Sequence, residues 1–417
     1  MDLIVIGGGL SGLVSAYKAK QAGQSVLLLE AAGRVGGAVR SEQAGEFLLE
    51  FGPNTVQIKE DLWELIHQLK ISRLLDIASP KTPRYVLFQG KLHPVPHSPL
   101  SLITTPLLPM GSILSLLMGL VAGPHERSDD ESLDSYIRRR FGNTVAERLA
   151  APFVSGVWAG DITQLSAAAA FPTRRKPKRN HVKGLLISFK NGMDTLTKSL
   201  SDALSNEIKL NVPVKKIQRR GNEWEISGDG FTHSAKQLTL STPAPAAAKL
   251  VMPFAPEAAR ALEAIPYAPL AVLHLGFKRD QVSKFRPGFG FLCAPSEKSD
   301  ILGCLWNSNL FKGRAPSGSA LWTVYMGGMT NPAVLNHSDE ALVGRALATL
   351  KPIMGLEGNP TFSRVTRYKE AIPQYTMGHE ARIKVLEKIE RQTPGLRFAA
   401  NYRGGISVGQ VVMAAST

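Results

Sequence analysis

With 417 residues, 44% of them apolar, the chain is long enough for two or three domains and ordinary enough in composition for a folded globular protein. Lysine and arginine number 49 against 34 acidic residues, a formal charge of +15 that favours anionic partners such as lipid headgroups or a polycarboxylate, while the lack of any basic run interleaved with aromatics argues against nucleic acid. The two cysteines, Cys293 and Cys304, form no CxxC pair, which speaks against a disulfide framework or a metal site and for a reducing, cytoplasmic compartment.

The first forty residues organise the rest. Asp2-Leu3-Ile4-Val5-Ile6 reads as a buried parallel strand and runs straight into Gly7-Gly8-Gly9-Leu10-Ser11-Gly12. Because the strand begins at residue 3, no leader peptide is expected. Helical spacing through Leu13, Ala16 and Tyr17 should stop near Gly23, and Ser25 to Leu29 forms a second strand ending at Glu30. Such a βαβ unit turns the free N–H groups and partial positive charge of a helix N-terminus toward a pyrophosphate. Gly7 permits the tight turn, Gly9 the approach of backbone to phosphate, Gly12 the close packing of helix on strand, and Glu30 can accept from a ribose diol. Gly33-Arg34-Val35-Gly36-Gly37 follows at once. This second glycine pair resembles the signature of the flavoproteins that include amine oxidases and phytoene desaturases. The resemblance implies FAD, with Arg34, Gly36 and Gly37 along its pyrophosphate and Gly52-Pro53-Asn54-Thr55 beside its flavin ring. No cysteine lies near the chain end, so the flavin should be bound without a covalent link.

Leu62, Leu65, Ile66 and Leu69 suggest an amphipathic helix from Leu62 to Leu75, before a turn at Ser79 to Pro83. Arg84 to Pro96 reads as a hairpin about Gln89-Gly90-Lys91. From Leu92 to His125 there is no Asp, Glu, Lys or Arg, and residues 100–122 are dominated by Leu, Ile, Met and Gly. Pro106 and Pro109 interrupt the stretch and leave too few residues for an ordinary membrane span, so either an apolar surface that dips into a membrane or an internal helical cap is expected. A charged helix over Ser128 to Leu149 precedes Val154-Ser155-Gly156-Val157-Trp158. The basic run Arg174, Arg175, Lys176, Lys178, Arg179 and Lys183 suits either a solvated loop or a headgroup contact. A helix starts at Gly192 to Leu196, and strands are expected at Ile208 to Ile217, Trp224 to Ile226 and Gln237 to Ser241. Residues 270–367 are rich in strands, around one helix from Asp339 to Leu350. A last strand, Leu396 to Ala399, leads to a glycine turn, Gly404 to Val408, and to a terminal helix of barely two turns, which looks short to be stable alone.

Along nearly its whole length the chain resembles the protoporphyrinogen and coproporphyrinogen oxidases, a family of FAD-dependent enzymes of haem synthesis. The motifs that carry the resemblance are Arg84-Tyr85-Val86 with Gly90 to Pro96, Val154 to Asp161 with Leu165-Ser166, and Ala371 to Tyr375 with Gly378-His379. The implied fold is α/β (α+β overall): a Rossmann-like FAD-binding domain from residues 1–78, 185–262 and 381–417, a sheet-based substrate domain from 79–97 and 263–380, and a helical, membrane-contacting subdomain from 98–184. The resemblance also places Val214, Gly405, Ile406, Ser407 and Val408 against the cofactor. It implies that Arg84 pairs with a substrate carboxylate, that the Gly156 carbonyl faces a pyrrole N–H, that Leu292 and Leu305 clamp a ring, and that Tyr325 stacks on one. The flavin would carry the chemistry, with oxygen as acceptor and no side-chain base. Protoporphyrinogen and coproporphyrinogen both stay open as substrate, as do a homodimer and a peripheral site on the cytoplasmic face of a membrane. Alternatives are an amine oxidase or carotenoid-type desaturase, and a flavin-binding scaffold without turnover.

Overall fold

In the computed structural model, which describes residues 1–122, 130–171 and 184–416, two large sheets dominate. The first has five parallel strands, in the order Ile208–Lys209, Val26–Leu29, Leu3–Ile6, Gln237–Leu240, Leu396–Phe398. Its members come from three distant parts of the chain, and its three inner strands are almost wholly buried, as the unbroken apolar runs require. The crossover helix Leu10–Gln21 covers one face, and Gly23, at φ +80°, allows the chain to turn after it. The helix Val408–Ser416 packs there too, burying Val408, Val411, Val412 and Ala415 in the same core as Leu13, Val14 and Tyr17. Tertiary packing thus supplies the stability that two turns lack alone.

The second sheet has seven strands, in the order Phe362–Pro373, Tyr267–Lys278, Ser319–Gly327, Ile301–Leu305, Gly290–Cys293, Tyr85–Phe88, Lys91–Pro94. All neighbours are antiparallel except Gly290–Cys293 beside Tyr85–Phe88. The expected hairpin forms its edge, with Gln89 and Gly90 both at positive φ in the turn. Short helices at Pro99–Ile103, Met110–Val121, Leu133–Phe141 and Ala151–Trp158 lie over this sheet's end. No helix among the described residues is long and apolar enough to cross a membrane.

Several expected elements are cut differently. The helix expected to reach Leu75 ends at Gln68, because Lys70 takes φ +58°, and Leu75–Ile77 instead pairs with Leu186–Phe189. The single strand expected over Ile208 to Ile217 divides at Asn211, at φ +58°, so that Ile208–Lys209 joins the parallel sheet and Val214–Arg220 joins a separate three-stranded one. The charged helix breaks at Gly142, at φ +88°. The basic run 174–183 lies outside the described residues.

Candidate active site

Between the two sheets lies a cavity of about 2430 Å³. Single small-molecule pockets usually measure about 300–1,000 Å³, so this one has room for two ligands side by side. One end is the glycine turn after Leu3–Ile6. Gly7, Gly9, Leu10 and Ser11 line it, together with Glu30, Gly36 and Gly37.

The glycines divide by what they do. A Cβ at Gly12 would stand 1.9 Å from the Gly7 carbonyl oxygen, so only hydrogen fits where helix meets strand. A Cβ at Gly9 would meet nothing within 4 Å, which makes its surface an open cradle beside the uncapped helix N-terminus. Gly8 does not line the cavity; its N–H donates to Glu30 Oε2 at 2.6 Å, and Ala32 N–H donates to Oε1 at 2.7 Å. The Glu30 carboxylate is thereby held in place with lone pairs still facing the space a ribose would take. Gly36 N–H donates to Gly8 O at 2.7 Å, locking the second glycine pair onto the first. Arg34 also lies off the cavity. Its exposed guanidinium donates to Val35 O and Gly37 O, bracing that turn from outside. Free N–H groups, a dipole, an open glycine and an acid at ribose distance together suit a dinucleotide.

Gly52, Pro53, Asn54 and Thr55 line the middle of the cavity, and Val214, Ile406, Ser407 and Val408 line the side near the glycine turn. Gly405 stands behind them at φ +117°, its N–H donating to Tyr375 Oη at 2.9 Å. Tyr375 in turn donates to Asn401 O and stacks on His379, whose Nε2 donates to Tyr402 O. The motif Ala371 to Tyr375 with His379 therefore buttresses the Gly404-Gly405 turn from just beyond the end of the strand Phe362–Pro373.

The far end is built on a row running across that sheet. Val86 pairs with Leu292, Leu292 with Gly303, Gly303 with Tyr325, and Tyr325 with Val272, so all five share one face and line the cavity. Leu292, Leu305 and Tyr325 are half-exposed in strands whose other members there are buried. That exposure arises because they face the cavity rather than the core. Gly156, on the helix Ala151–Trp158, packs so closely above them that a Cβ would lie 2.1 Å from Leu292 Cδ2. Arg84 stands at the rim, exposed, with Phe289 under its guanidinium at 5.3 Å and no carboxylate partner among the described residues. It is thus a cation available to a ligand. Leu102, Ile103, Leu116, Leu117 and Leu120 make an apolar lip beside it, while Leu100, Met110, Leu114, Met118 and Val121 face outward.

Residues that sequence reasoning did not single out fix the segment before the Gly52 turn to the seven-stranded sheet and to the strand Leu186–Phe189. Glu50, immediately before Phe51-Gly52-Pro53, forms a buried ion pair with Arg314 at 2.8 Å. It also accepts from Ser41 Oγ and Met193 N–H, while Arg314 donates to Ser188 Oγ and Phe189 O. Burial pushes the Glu50 carboxyl up to about 7 against the pull of Arg314. Its backbone carbonyl accepts from His274 Nε2 at 2.9 Å, on the strand Tyr267–Lys278 of the seven-stranded sheet, and burial depresses that imidazole to about 4. Both cysteines are buried, with thiol pKa values raised by burial, and no group of His, Cys, Asp and Glu among the described residues could hold a metal.

The model for flavin-containing amine oxidoreductases matches residues 10–415. The chain is 29% identical to protoporphyrinogen oxidase 1 of the Spinacia oleracea chloroplast, over 99% of its own length and 82% of that protein. It is 27% identical to the coproporphyrinogen III oxidase of Bacillus subtilis (strain 168), over 97% and 94%. Among solved structures, a candidate protoporphyrinogen oxidase from Exiguobacterium sp. 255-15 superposes with a TM-score of 0.83 at 26% identity, covering 100% of this chain and 97% of the other.

Proposed function

Because this chain belongs to the flavin-containing amine oxidoreductase family, we propose that it is an FAD-dependent porphyrinogen oxidase of haem synthesis, using oxygen as electron acceptor. The observation that carries the reading is one cavity of about 2430 Å³ with a dinucleotide cradle at one end and, at the other, an apolar slot rimmed by an unpaired arginine. Non-covalent FAD, held by Gly7, Gly9, Glu30, Gly36, Gly37 and the Ile406 to Val408 turn, would supply a hydride acceptor for a methylene bridge carbon. The chain's own residues bind and orient. Arg84 pairs with a propionate, and Leu292 and Leu305 grip a pyrrole ring on a wall that the Gly156 segment, packed directly against Leu292, continues. The apolar lip excludes water from the slot. Its outward continuation, free of ionised groups, is a peripheral membrane contact on this reading; at 12 residues, Met110–Val121 spans about 18 Å at 1.5 Å per residue and can lie in an interface without crossing it.

The test is direct. Purified protein supplied with FAD should convert colourless protoporphyrinogen or coproporphyrinogen to a fluorescent porphyrin, with hydrogen peroxide released. No gain in fluorescence over heat-inactivated protein, with either substrate, would refute the proposal. Arg84→Ala should raise KM several-fold, corresponding to about 1 kcal/mol for one charge-assisted contact at an exposed rim, with kcat little changed.

A further inference from the structure

Behind Tyr325 runs a chain of polar side chains whose direction is set by one backbone carbonyl. Asn54 Nδ2 lies 3.2 Å from Gly52 O and 2.7 Å from Tyr325 Oη. A carbonyl oxygen only accepts, so the amide atom facing Gly52 must be the nitrogen. Asn54 Oδ1 then faces Asn307, whose Nδ2 has to donate to it. Asn307 Oδ1 is left to accept the Thr323 hydroxyl, at 2.8 Å. Reversing any amide would press oxygen against oxygen among side chains that are buried throughout, a costly arrangement. Both hydrogens of Asn54 Nδ2 are therefore assigned, one to Gly52 O and one to the phenol oxygen. Tyr325 Oη is an acceptor on its protein side, and no acceptor for its own proton is recorded among the described residues.

That proton has one direction left to go. Tyr325 belongs to the cross-strand row that faces the cavity, flanked in register by Gly303 and Val272, and it lines that cavity itself. Burial raises the pKa of the phenol, so the hydroxyl stays protonated over the working range of pH. We propose that Tyr325 is a positioning residue, one that donates a hydrogen bond from its hydroxyl to an acceptor on the ligand in the cavity, its orientation enforced by Asn54, Asn307 and Thr323. This rests on the cavity holding a flavin and a tetrapyrrole. It differs from a stacking role, for which phenylalanine would serve equally well. The acceptor chemistry is an sp² oxygen or nitrogen, which either a flavin ring or a propionate can present.

Tyr325→Phe in the FAD-loaded protein separates the sources. If the acceptor is on the flavin, the visible flavin spectrum shifts and the midpoint potential moves to a more negative value in the absence of substrate, since a donor to the ring stabilises the electron-rich reduced form. If the acceptor is a propionate, the flavin readouts stay put and the Kd for porphyrin, followed by fluorescence quenching, rises about 3- to 10-fold, the usual range for one hydrogen bond. Either result supports the donor role. Unchanged spectrum, potential and porphyrin Kd, with at most a lowered Tm, would overturn it and leave Tyr325 as a structural partner of Asn54. A wild-type protein that binds neither FAD nor porphyrin would instead refute the functional reading itself.

Discussion

Glu50 and His274 should titrate in opposite senses, and neutralising the histidine exposes the difference. The imidazole of His274 is depressed from 6.5 to about 4, chiefly by burial. A depressed histidine contributes stability that is fully present above pH 6.5 and is lost as pH falls toward 4, because the unfolded chain takes up the proton first. At pH 5, about 1.5 units below the unfolded value, the loss is about 2 kcal/mol at ~1.36 kcal/mol per unit. The Glu50 carboxyl, raised from 4.5 to about 7, has the reverse sign: its contribution is fully present below pH 4.5 and is lost as pH rises through 7. The two slopes oppose one another in the wild type over most of this range. His274→Gln retains a side-chain N–H for the Glu50 carbonyl but cannot ionise. In urea unfolding, the stability difference between wild type and variant should move by about 2 kcal/mol in the variant's favour between roughly pH 7.5 and 5, since every other group cancels. A difference that stays constant with pH, or a His274 NMR titration centred near 6.5, would refute the claim that this histidine is held neutral beneath the Glu50 carbonyl.

The glycines of the cradle should separate folding from binding. Gly9→Ala adds a methyl that meets no protein atom, so Tm should stay close to wild type while FAD affinity falls steeply; Gly12→Ala, clashing with the rigid Gly7 carbonyl, should cost about 1–3 kcal/mol or more of stability as well as the flavin. Thermal melts alongside flavin titration read both, and equal melting losses in the two variants would contradict the division. Gly156→Ala should push the Leu292 side chain aside and raise substrate KM, and pairing it with Leu292→Ala should recover part of the loss; additivity in that cycle would show that the two residues do not share a wall of the slot. For the apolar lip, sedimentation with lipid vesicles should capture the wild type and lose a Leu117→Asp, Met118→Asp variant; equal capture would remove the membrane proposal.

What the sequence reveals follows from how local the signal is. The βαβ unit, its glycines and Glu30 are legible because strand, turn, helix and acid lie within thirty residues, and each residue type answers to one local requirement. The cut at Asn211 is less legible: an apolar and basic stretch keeps strand propensity on both sides, and only a left-handed residue followed by Pro213 divides it between two sheets. The helices Ala244–Val251 and Pro256–Glu263 are equally hard to read, though Ala244, Ala247, Ala248, Val251, Ala255, Ala258, Ala259 and Leu262 repeat at helical spacing. Alanine carries little hydrophobic contrast, yet all eight are buried, because small side chains let these helices lie close to the parallel sheet.

The polar groups between the sheets are a harder case still. Glu50 and Arg314 are 264 positions apart, and Asn54 and Asn307 are 253 apart. The motif around Gly52-Pro53 marks Asn54, but nothing in the local sequence distinguishes Glu50, Arg314 or Asn307 from surface residues. Their roles arise only once strand order brings the Gly52 turn against the interior of the seven-stranded sheet, where an unsatisfied amide or charge would be costly. That same cost makes their arrangement definite: a buried asparagine beside a carbonyl has one acceptable orientation, and the constraint passes from Gly52 to Asn54, then to Asn307 and Tyr325. Local sequence therefore determines where a dinucleotide can sit, whereas the direction in which a hydroxyl points at its neighbour in the cavity is determined by desolvation acting across the whole fold.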